Sequence, residues 1–472
     1  MIKKLFPPLS QASQTGYFFF LVVLIRLFFN AVIPLMDKTE ARYAEIARLM
    51  AETGEWVVLQ IDYGIPFWAK PPLSTWASAM SIQLFGAAEF FVRLPYALVC
   101  IAMALFLGRY TSTKDQSFFL PGLILLCLPE FFLHVGVVST DVFLAFSVAM
   151  VMLSFWEGMQ KDSKSYWHYL FFVGMGLGLL AKGPIVGILT VPPLFLWCLM
   201  NKEARPRLFL FPWVLGSLLT LAIALPWYGL AEVKSPGFID YFIIGEHFRR
   251  YLDSSWSGDK YGFPKQQPLG MIWLFLVGTI LPYAFFFMQK VGVKFREILS
   301  HPWLQFLLFW LLWTPLFFTS SKSLIHPYTL PVMVPVALII VHFWEEARHK
   351  NTLIYGGLAF PLLAVMIYFS GTIDGVFQAN SDKSLVEAYA GKDLYAFKKK
   401  SYSSQFYSQG KIQVITAEEL LEHYDSIPLL ISKKDYKKIE SPLKERLQGQ
   451  VFSSKKEVYL YVAPPPPPIS QN

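Results

Sequence analysis

The chain has 472 residues, of which 54% are hydrophobic and only 16% are charged, well below the roughly 25% charged residues of soluble domains. This composition excludes an ordinary soluble globular protein and indicates a membrane protein. The net charge of +8 does not indicate a nucleic-acid partner, because in a membrane protein the placement of Lys and Arg among the loops carries the information.

Apolar segments of about 17–25 residues recur along most of the chain, each long enough to cross a hydrocarbon core of roughly 30 Å. The three cysteines fall inside such segments, which argues against a disulfide framework or a thiolate metal cluster. A cleaved signal peptide is the alternative for the first segment, but no small-residue cleavage site follows it. We predict about eleven transmembrane helices, at residues 16–36, 91–109, 117–134, 139–157, 166–181, 183–200, 207–230, 268–289, 302–319, 325–344 and 352–372.

Basic residues in the short loops predict the orientation. If the N-terminus is cytoplasmic, nearly every short cytoplasmic loop carries two or three Lys or Arg, and the short loops on the other side carry almost none. Two long loops, Met36–Phe90 and Ala231–Gln267, then lie outside the cytoplasm. The odd number of spans places the C-terminal part of the chain outside as well.

After residue 372 the composition becomes polar and rich in lysine. Short apolar stretches such as "KIQVI" and "VYLYV" predict strands, and stretches such as "TAEELLEHYD" predict helices between them. We therefore expect a membrane domain over residues 1–372, a small extracytoplasmic α/β domain over 373–463 and a proline-rich tail over 464–472.

The first long loop opens with "MDKTEARYAEIARLM", where acids and bases follow directly on the first apolar segment. The pattern predicts an amphipathic helix on the membrane surface, capped by Thr39 and ended by Gly54. An ionisable group at the end of a span is a candidate for function. The alternative is that Asp37 and Glu40 are solvated residues favoured by the helix dipole.

Five motifs occur in an order that resembles one enzyme family. They are "TEARYAE" with "AKPPLSTW" in the first loop, "VVSTDVFLAF", "LLAKGP", "GEHFRRY" and "SKSLIHPYTLP". Each is weak by itself, since a lone aspartate can cap a helix and a lone lysine is usually a surface residue. Together they resemble the bacterial GT-C fold sugar transferases that use polyprenyl-phosphate donors, related to the lipid A aminoarabinose transferases and the protein mannosyltransferases.

The resemblance implies an inverting glycosyltransferase of the bacterial inner membrane that moves a sugar from a polyprenyl-phosphate donor to a lipid A-like lipid, a glycan or a protein. It implies no cofactor beyond this donor and assigns no metal ligand. Carboxylates would orient or deprotonate the acceptor, and cationic or hydroxyl donors would hold the phosphate. The implied catalytic residues are Asp37, Glu40 and Asp141, and the implied substrate-binding residues are Arg42, Tyr43, Lys70, Lys182, His247, Arg249, Arg250, Lys322 and Tyr328.

The sequence departs from the family pattern at two places. The aminoarabinose transferases carry an Asp-Glu pair before "xRYAE", whereas Thr39-Glu40 stands here and Asp37 lies slightly earlier. The essential carboxylate is therefore either Asp37 or Glu40, and the shorter side chain at the end of the span favours Asp37. The family also has a glutamate before the loop lysine, where this chain has Ala69, so a divalent metal bound through that glutamate and His247 is doubtful.

Two other functions remain as alternatives. A secondary transporter also has many spans, and Arg26 within the first span fits one, but transporters place such groups near the midplane of repeated halves and no repeat is visible here. A protein that binds polyprenyl phosphate without transferring sugar is the other alternative, motivated by the changes at Thr39 and Ala69.

Overall fold

The structure, a computed structural model, describes residues 11–113, 116–249, 258, 260–261, 266–321, 323–389, 391–423, 426–453 and 457–462. Its first part is a bundle of apolar helices, and its last part is a small mixed α/β unit. The helices of the bundle and its loops are α1 Gln11–Val32, α2 Thr39–Thr53, α3 Leu73–Phe85, α4 Glu89–Phe106, α5 Leu120–Cys127, α6 Pro129–His134, α7 Thr140–Gly158, α8 Ser165–Lys182, α9 Ile185–Met200, α10 Trp213–Lys234, α11 Met271–Thr279, α12 Ala284–Val293, α13 Phe295–Ser300, α14 Pro302–Phe318, α15 Met333–His342 and α16 Lys350–Phe369.

Each of the predicted spans contains helix in the structure, which confirms a polytopic helical membrane protein. Within the described residues, five helices are long and apolar enough to cross a membrane, and one bent pair makes a possible sixth span. The number of eleven spans stays a prediction.

Breaks in the backbone explain why some predicted spans are not single helices. Pro129 separates α5 from α6, since proline cannot continue the hydrogen-bond ladder of a preceding helix. The predicted span at 268–289 is the bent pair: the chain bends by 112° between α11 and α12. The hydropathy of a segment records that it is apolar, and it does not record such a bend.

The first long loop holds α2, α3 and a short hairpin of β1 Gln60–Asp62 and β2 Ile65–Pro66. Helix α2 ends at Gly54, as predicted: this residue has φ 70° and its N–H donates to the carbonyl of Met50. The predicted cap at Thr39 is wrong, because Thr39 is the first helical residue and Lys38 precedes it without a side-chain cap. The second long loop begins with a π-helical segment, Asp240–Arg249.

Helix α2 is not the surface helix that its sequence predicts. Nine of its residues are buried, including the charged Glu45 and Arg48. An amphipathic pattern shows which face is apolar, but it does not show what covers the polar face. Here the C-terminal unit packs on α2, so both faces are covered.

The C-terminal unit has a five-stranded sheet whose strands lie in the order β4 Gln413–Ile415, β3 Tyr395–Phe397, β5 Pro428–Ser432, β7 Glu457–Val462 and β6 Leu447–Ser453. Strands β3 and β4 pair in parallel, as do β3 and β5, while β7 runs antiparallel to β5 and β6. The helix over "TAEELLE" begins with a capping box of Thr416 and Glu419. The boundary at residue 372 and the separate tail stay predictions, and residues 464–472 lie outside the described part. The elements are α17 Asp374–Asn380, α18 Lys383–Glu387, β3 Tyr395–Phe397, α19 Tyr402–Tyr407, β4 Gln413–Ile415, α20 Ala417–Glu422, β5 Pro428–Ser432, α21 Lys433–Tyr436, α22 Ser441–Arg446, β6 Leu447–Ser453 and β7 Glu457–Val462.

Candidate active site

Asp141 and Lys182 form an ion pair at the end of the bundle that carries the two long loops, called the loop face below. Asp141 lies in the first turn of α7, where the Ser139 hydroxyl accepts from its backbone N–H. Lys182 is the last residue of α8, and its ammonium donates to the Asp141 carboxylate. The ammonium also lies 4.8 Å from the ring centre of Tyr328. Three predicted site residues from distant parts of the sequence therefore meet here.

Arg42 and Tyr43 of α2 face the same region. The charges of Asp141 and Lys182 act on the Tyr43 hydroxyl, whose pKa burial raises, so the phenol stays protonated and able to donate. The Arg42 guanidinium stacks on the rings of Tyr43 and Phe67, 5.4 and 5.5 Å from their centres. Its Nη1 donates to the Tyr261 carbonyl over 2.6 Å.

The Arg42 Nε is buried and has no hydrogen-bond partner among the residues that the structure describes. A buried N–H without an acceptor is costly, on the order of 1–3 kcal/mol. A phosphate oxygen bound beside Arg42 would supply the missing acceptor.

Lys70 and Glu246 join the first and second long loops. The Lys70 ammonium lies 3.6 Å from a carboxylate oxygen of the buried Glu246, and its charge acts on Asp141. Glu246 also accepts from the Tyr241 hydroxyl over 3.2 Å. Sequence reasoning missed Glu246, although it stands inside the motif "GEHFRRY"; its charge beside the predicted His247 was the available signal.

His247 contacts the backbone at the end of α8. Its Nδ1 lies 2.8 Å from the Phe242 carbonyl oxygen and its Nε2 lies 3.3 Å from that of Lys182. Burial is the main reason that the pKa of this imidazole is lowered. Gly183, with φ 80°, ends α8 beside the ring, and a Cβ there would lie 3.2 Å from Nε2 and 2.8 Å from the Phe242 ring. His247 thus helps to hold the backbone that presents Lys182.

Glu40 is bound by Arg93, a residue that sequence reasoning did not identify. The Arg93 guanidinium donates to both Glu40 oxygens, over 2.8 and 2.9 Å. It also donates to the carbonyls of Asn30 and Ile33, at the end of α1. The side chain of Arg93 is 2% exposed and that of Glu40 is 11% exposed. Glu40 therefore ties α2 to α1 and α4, and both of its oxygens are occupied.

Asp37 faces the C-terminal unit. Its carboxylate accepts from the backbone N–H of Ser403 over 3.1 Å and also from the Ser403 hydroxyl. Its own N–H donates to the Asn380 carbonyl over 2.7 Å. These contacts hold the chain between α1 and α2 against the C-terminal unit.

The structure describes one of the three remaining predicted residues. Arg249 is exposed at the end of the π-helical segment. Arg250 and Lys322 lie outside the described residues. A polar depression at the opposite end of the bundle, lined among others by Arg109 and Lys161, contains none of the predicted site residues.

Glu130, His134 and His326 form a second polar cluster beside Asp141. The buried Glu130 carboxylate lies 2.9 Å from Nδ1 of His326 and 3.1 Å from Nδ1 of His134, and His134 interacts electrostatically with Asp141. None of the three was predicted. His326 stands in "LIHPYTLP", so a titratable residue in a quoted motif was the available signal.

The residues present do not fit the divalent-metal site that the family pattern would place at position 69 and His247. Ala69 offers no donor atom, and both ring nitrogens of His247 face backbone carbonyl oxygens. In the described part of the chain, no group of three or more His, Cys, Asp or Glu has an arrangement that suits a metal ion.

Comparison with known proteins gives a family model and curated relatives. Residues 16–242 match the family of dolichyl-phosphate-mannose-protein mannosyltransferases. The "Undecaprenyl phosphate-alpha-4-amino-4-deoxy-L-arabinose arabinosyl transferase" of Serratia proteamaculans (strain 568) is 28% identical over 348 residues, which cover 71% of this chain and 60% of that protein. The protein with the same description from Aeromonas salmonicida (strain A449) is 30% identical over 315 residues, covering 65% and 55%. The chain thus spans about 60% of the length of such relatives.

A solved structure extends the similarity to the whole fold. The crystal structure of ArnT from Cupriavidus metallidurans bound to undecaprenyl phosphate matches with a TM-score of 0.75 at 18% identity, over 96% of this chain and 98% of that one. At this identity the match shows the fold. Together with the family model and the curated relatives, it confirms the resemblance seen in the motifs. The chain therefore has the GT-C fold of that transferase, and its sequence is similar to undecaprenyl-phosphate aminoarabinose transferases and, over residues 16–242, to dolichyl-phosphate-mannose-protein mannosyltransferases.

Proposed function

We propose that the protein is an inverting glycosyltransferase that moves a sugar from a polyprenyl-phosphate donor to an acceptor of the bacterial cell envelope. The observation that carries this proposal is that Lys70 and Lys182 both act on Asp141, while Arg42, Asp141 and Lys182 all act on Tyr43, at the loop face. Cations meeting at the end of a helix bundle suit a phosphate whose lipid tail lies in the membrane. The relatives' name, which specifies an undecaprenyl-phosphate donor, supports the same reading.

The phosphate of the donor binds to the cationic side of the site. Arg42 offers its unpartnered Nε, and its planar guanidinium suits a phosphate oxygen pair. Lys70 lies later in the same loop and adds a point charge. Both belong to the first long loop, so this loop would set the position of the donor.

Transfer breaks the bond between the anomeric carbon and the phosphate oxygen. An acceptor oxygen attacks the anomeric carbon from the opposite side and forms the new glycosidic bond. The electron pair of the broken bond stays on the polyprenyl phosphate, where preorganised cations stabilise the charge that develops. The proton of an acceptor hydroxyl passes to a carboxylate; an acceptor phosphate brings no such proton.

Asp141 is the carboxylate best placed for this role. Glu40 is held by Arg93 and Asp37 by Ser403, away from the predicted cations. The partner of Asp141 is instead Lys182, a predicted substrate-binding residue, and both act on Tyr43. We assign Asp141 to the acceptor, and Asp37 and Glu40 to fixing the loop that binds the donor. This changes the order expected from the sequence, which placed Asp37 or Glu40 first and Asp141 as auxiliary.

The acceptor is a lipid A-like lipid, a glycan or a protein on the outer face of the bacterial inner membrane. The N-in orientation puts the loop face, with its cations, on that side. The orientation of the loops follows from their Lys and Arg content, and the lipid class follows from the resemblance to the aminoarabinose transferases. The C-terminal unit then lies outside the cytoplasm as well.

Arg26 gives no support to the transporter alternative. Its guanidinium donates to the Leu133 carbonyl over 2.8 Å and lies 5.6 Å from the centre of the Phe132 ring. A buried arginine that binds the end of α6 has a structural role in the bundle. A substrate path along the midplane is therefore not needed to account for it.

The test is transfer of a labelled sugar from undecaprenyl phosphate to envelope lipids by the purified protein in nanodiscs. The parental protein should transfer label, and Lys70→Ala should reduce donor use roughly 10- to 150-fold, the effect of losing a charged hydrogen bond. Asp141→Asn should reduce the rate roughly 10²-fold or more. Lys290→Ala, which breaks an exposed pair with Glu346, is the matched control.

The outcomes separate the three functions. Binding of undecaprenyl phosphate without any transfer would favour the non-catalytic binding protein. If the protein neither binds undecaprenyl phosphate nor transfers sugar, the proposal is refuted. Parental activity in Lys70→Ala and Asp141→Asn would show that these residues are not in the site.

A further inference from the structure

The segment Asn380–Gly410 of the C-terminal unit, called the clasp below, binds the first long loop at several points. At its centre Ser403 donates twice to the Asp37 carboxylate. The Tyr407 hydroxyl accepts from the N–H of Leu35 over 2.7 Å and donates to Glu89 over 3.1 Å. The clasp therefore contacts both ends of the loop, where the chain leaves α1 and where it enters α4.

Charged contacts extend this interface. Lys383 pairs with Glu89, and Lys400 donates to Asp62 over 2.9 Å. Gly410 lies close against Tyr63 and Arg48: a Cβ at this position, where φ is 77°, would lie 2.4 Å from the Tyr63 hydroxyl. Three acids of the loop, Asp37, Asp62 and Glu89, thus each bind a residue of the clasp.

One clasp residue reaches the candidate site itself. Helix α19, which begins at Tyr402, packs on α2, which carries Arg42. The Tyr402 side chain packs against the core of the bundle and interacts electrostatically with the Arg42 guanidinium. Tyr402 is next to Ser403, so the bond between Ser403 and Asp37 fixes the backbone from which Tyr402 extends. The same guanidinium is held by the Tyr261 carbonyl and by stacking on Tyr43 and Phe67.

We infer that Tyr402 is a positioning residue for the donor phosphate: docked through Asp37 and Ser403, the clasp orients Arg42 so that its buried Nε faces the phosphate. The inference rests on the proposed function and deepens it by making the C-terminal unit part of the donor site. Arginine has several rotatable bonds, and fixing its fork before binding lowers the entropy lost when the phosphate binds. Asp37 then acts through the clasp and does not touch the reacting atoms.

The experiment measures binding of undecaprenyl phosphate to the purified full-length protein in nanodiscs by native mass spectrometry. Tyr402→Phe removes only the hydroxyl beside Arg42 and should raise the Kd about 3- to 10-fold, the scale of one lost polar contact. Asp37→Asn weakens the bond to Ser403 that docks the clasp on the loop, and it should raise the Kd as well. Tyr436→Phe, in the same unit but packed against its sheet, should keep the parental Kd.

Kinetics separate positioning from a merely structural role. With labelled donor, Tyr402→Phe should raise KM for the donor and leave kcat within about twofold, whereas partial unfolding lowers the active fraction and thus kcat. If Tyr402→Phe and Asp37→Asn bind with parental Kd while Arg42→Lys binds more weakly, the inference is overturned and the proposed function stands. If the parental protein does not bind undecaprenyl phosphate, both are overturned.

Discussion

Replacing Glu40 by glutamine should destabilise the protein strongly, because the change leaves the buried Arg93 guanidinium without its ion-pair partner. Arg93 is 2% exposed, and its other bonds go to neutral carbonyls at the end of α1. Breaking a buried ion pair by removing one partner costs about 3–5 kcal/mol. Solvent screening reduces this little, since the Glu40 side chain is only 11% exposed.

The measurement is the thermal unfolding midpoint of the purified protein in detergent, together with the yield of monodisperse protein. Glu52→Gln is the matched control: Glu52 lies on the same helix and pairs with Arg48, but its side chain is 49% exposed. An exposed pair contributes about 0–1 kcal/mol, so this variant should melt close to the parental protein. The double variant Glu40→Gln, Arg93→Met should recover part of the loss, because it removes the unpaired charge as well.

A different result would assign Glu40 another role. If Glu40→Gln melts like the parental protein and still loses sugar transfer by roughly 10²-fold, Glu40 is a catalytic carboxylate and the structural explanation is wrong. Asp37→Asn should lose less stability than Glu40→Gln, since the Asp37 carboxylate accepts from neutral groups of Ser403, whereas Glu40 pairs with a buried guanidinium.

Gly136→Ala should destabilise the protein by about 1–3 kcal/mol through overpacking, because a Cβ there would lie 1.6 Å from Oδ1 of Asn30. The control Gly278→Ala, where a Cβ would have nothing within 4 Å, should unfold at or above the parental temperature. Equal unfolding temperatures of the two variants would contradict the packing argument. Burial lowers the pKa of His247, so the unfolded chain binds a proton more readily than the folded one. The free energy of unfolding should therefore fall as the pH drops below about 6.5. Unfolding midpoints measured over a pH series should change less for His247→Gln, and an unchanged pH dependence would refute this explanation. A fluorescent protein that matures only in the cytoplasm, fused to the C-terminus, should stay dark, whereas bright cells would overturn the N-in orientation.

The sequence by itself determined the class of the protein and the residues of its motifs. The hydropathy of a segment depends only on its own residues, so the apolar helices could be located from composition and length. The parallel and antiparallel strands β3, β4, β5 and β7 coincide with apolar stretches for the same reason. The order of the motifs indicated the similarity to these sugar transferases, and most of the motif residues that the structure describes, including Asp141, Lys182 and Tyr328, meet at the loop face.

Only the tertiary structure decided which partner each charged group binds. Glu40 pairs with a residue 53 positions away, and Asp37 with one 366 positions away. No local pattern records such partners, because they depend on how helices and domains pack. The same holds for α2, whose amphipathic sequence predicts a surface helix until the C-terminal unit covers its polar face. A carboxylate at the end of a span is a candidate by sequence, and its role depends on the cation or hydroxyl that the fold brings to it.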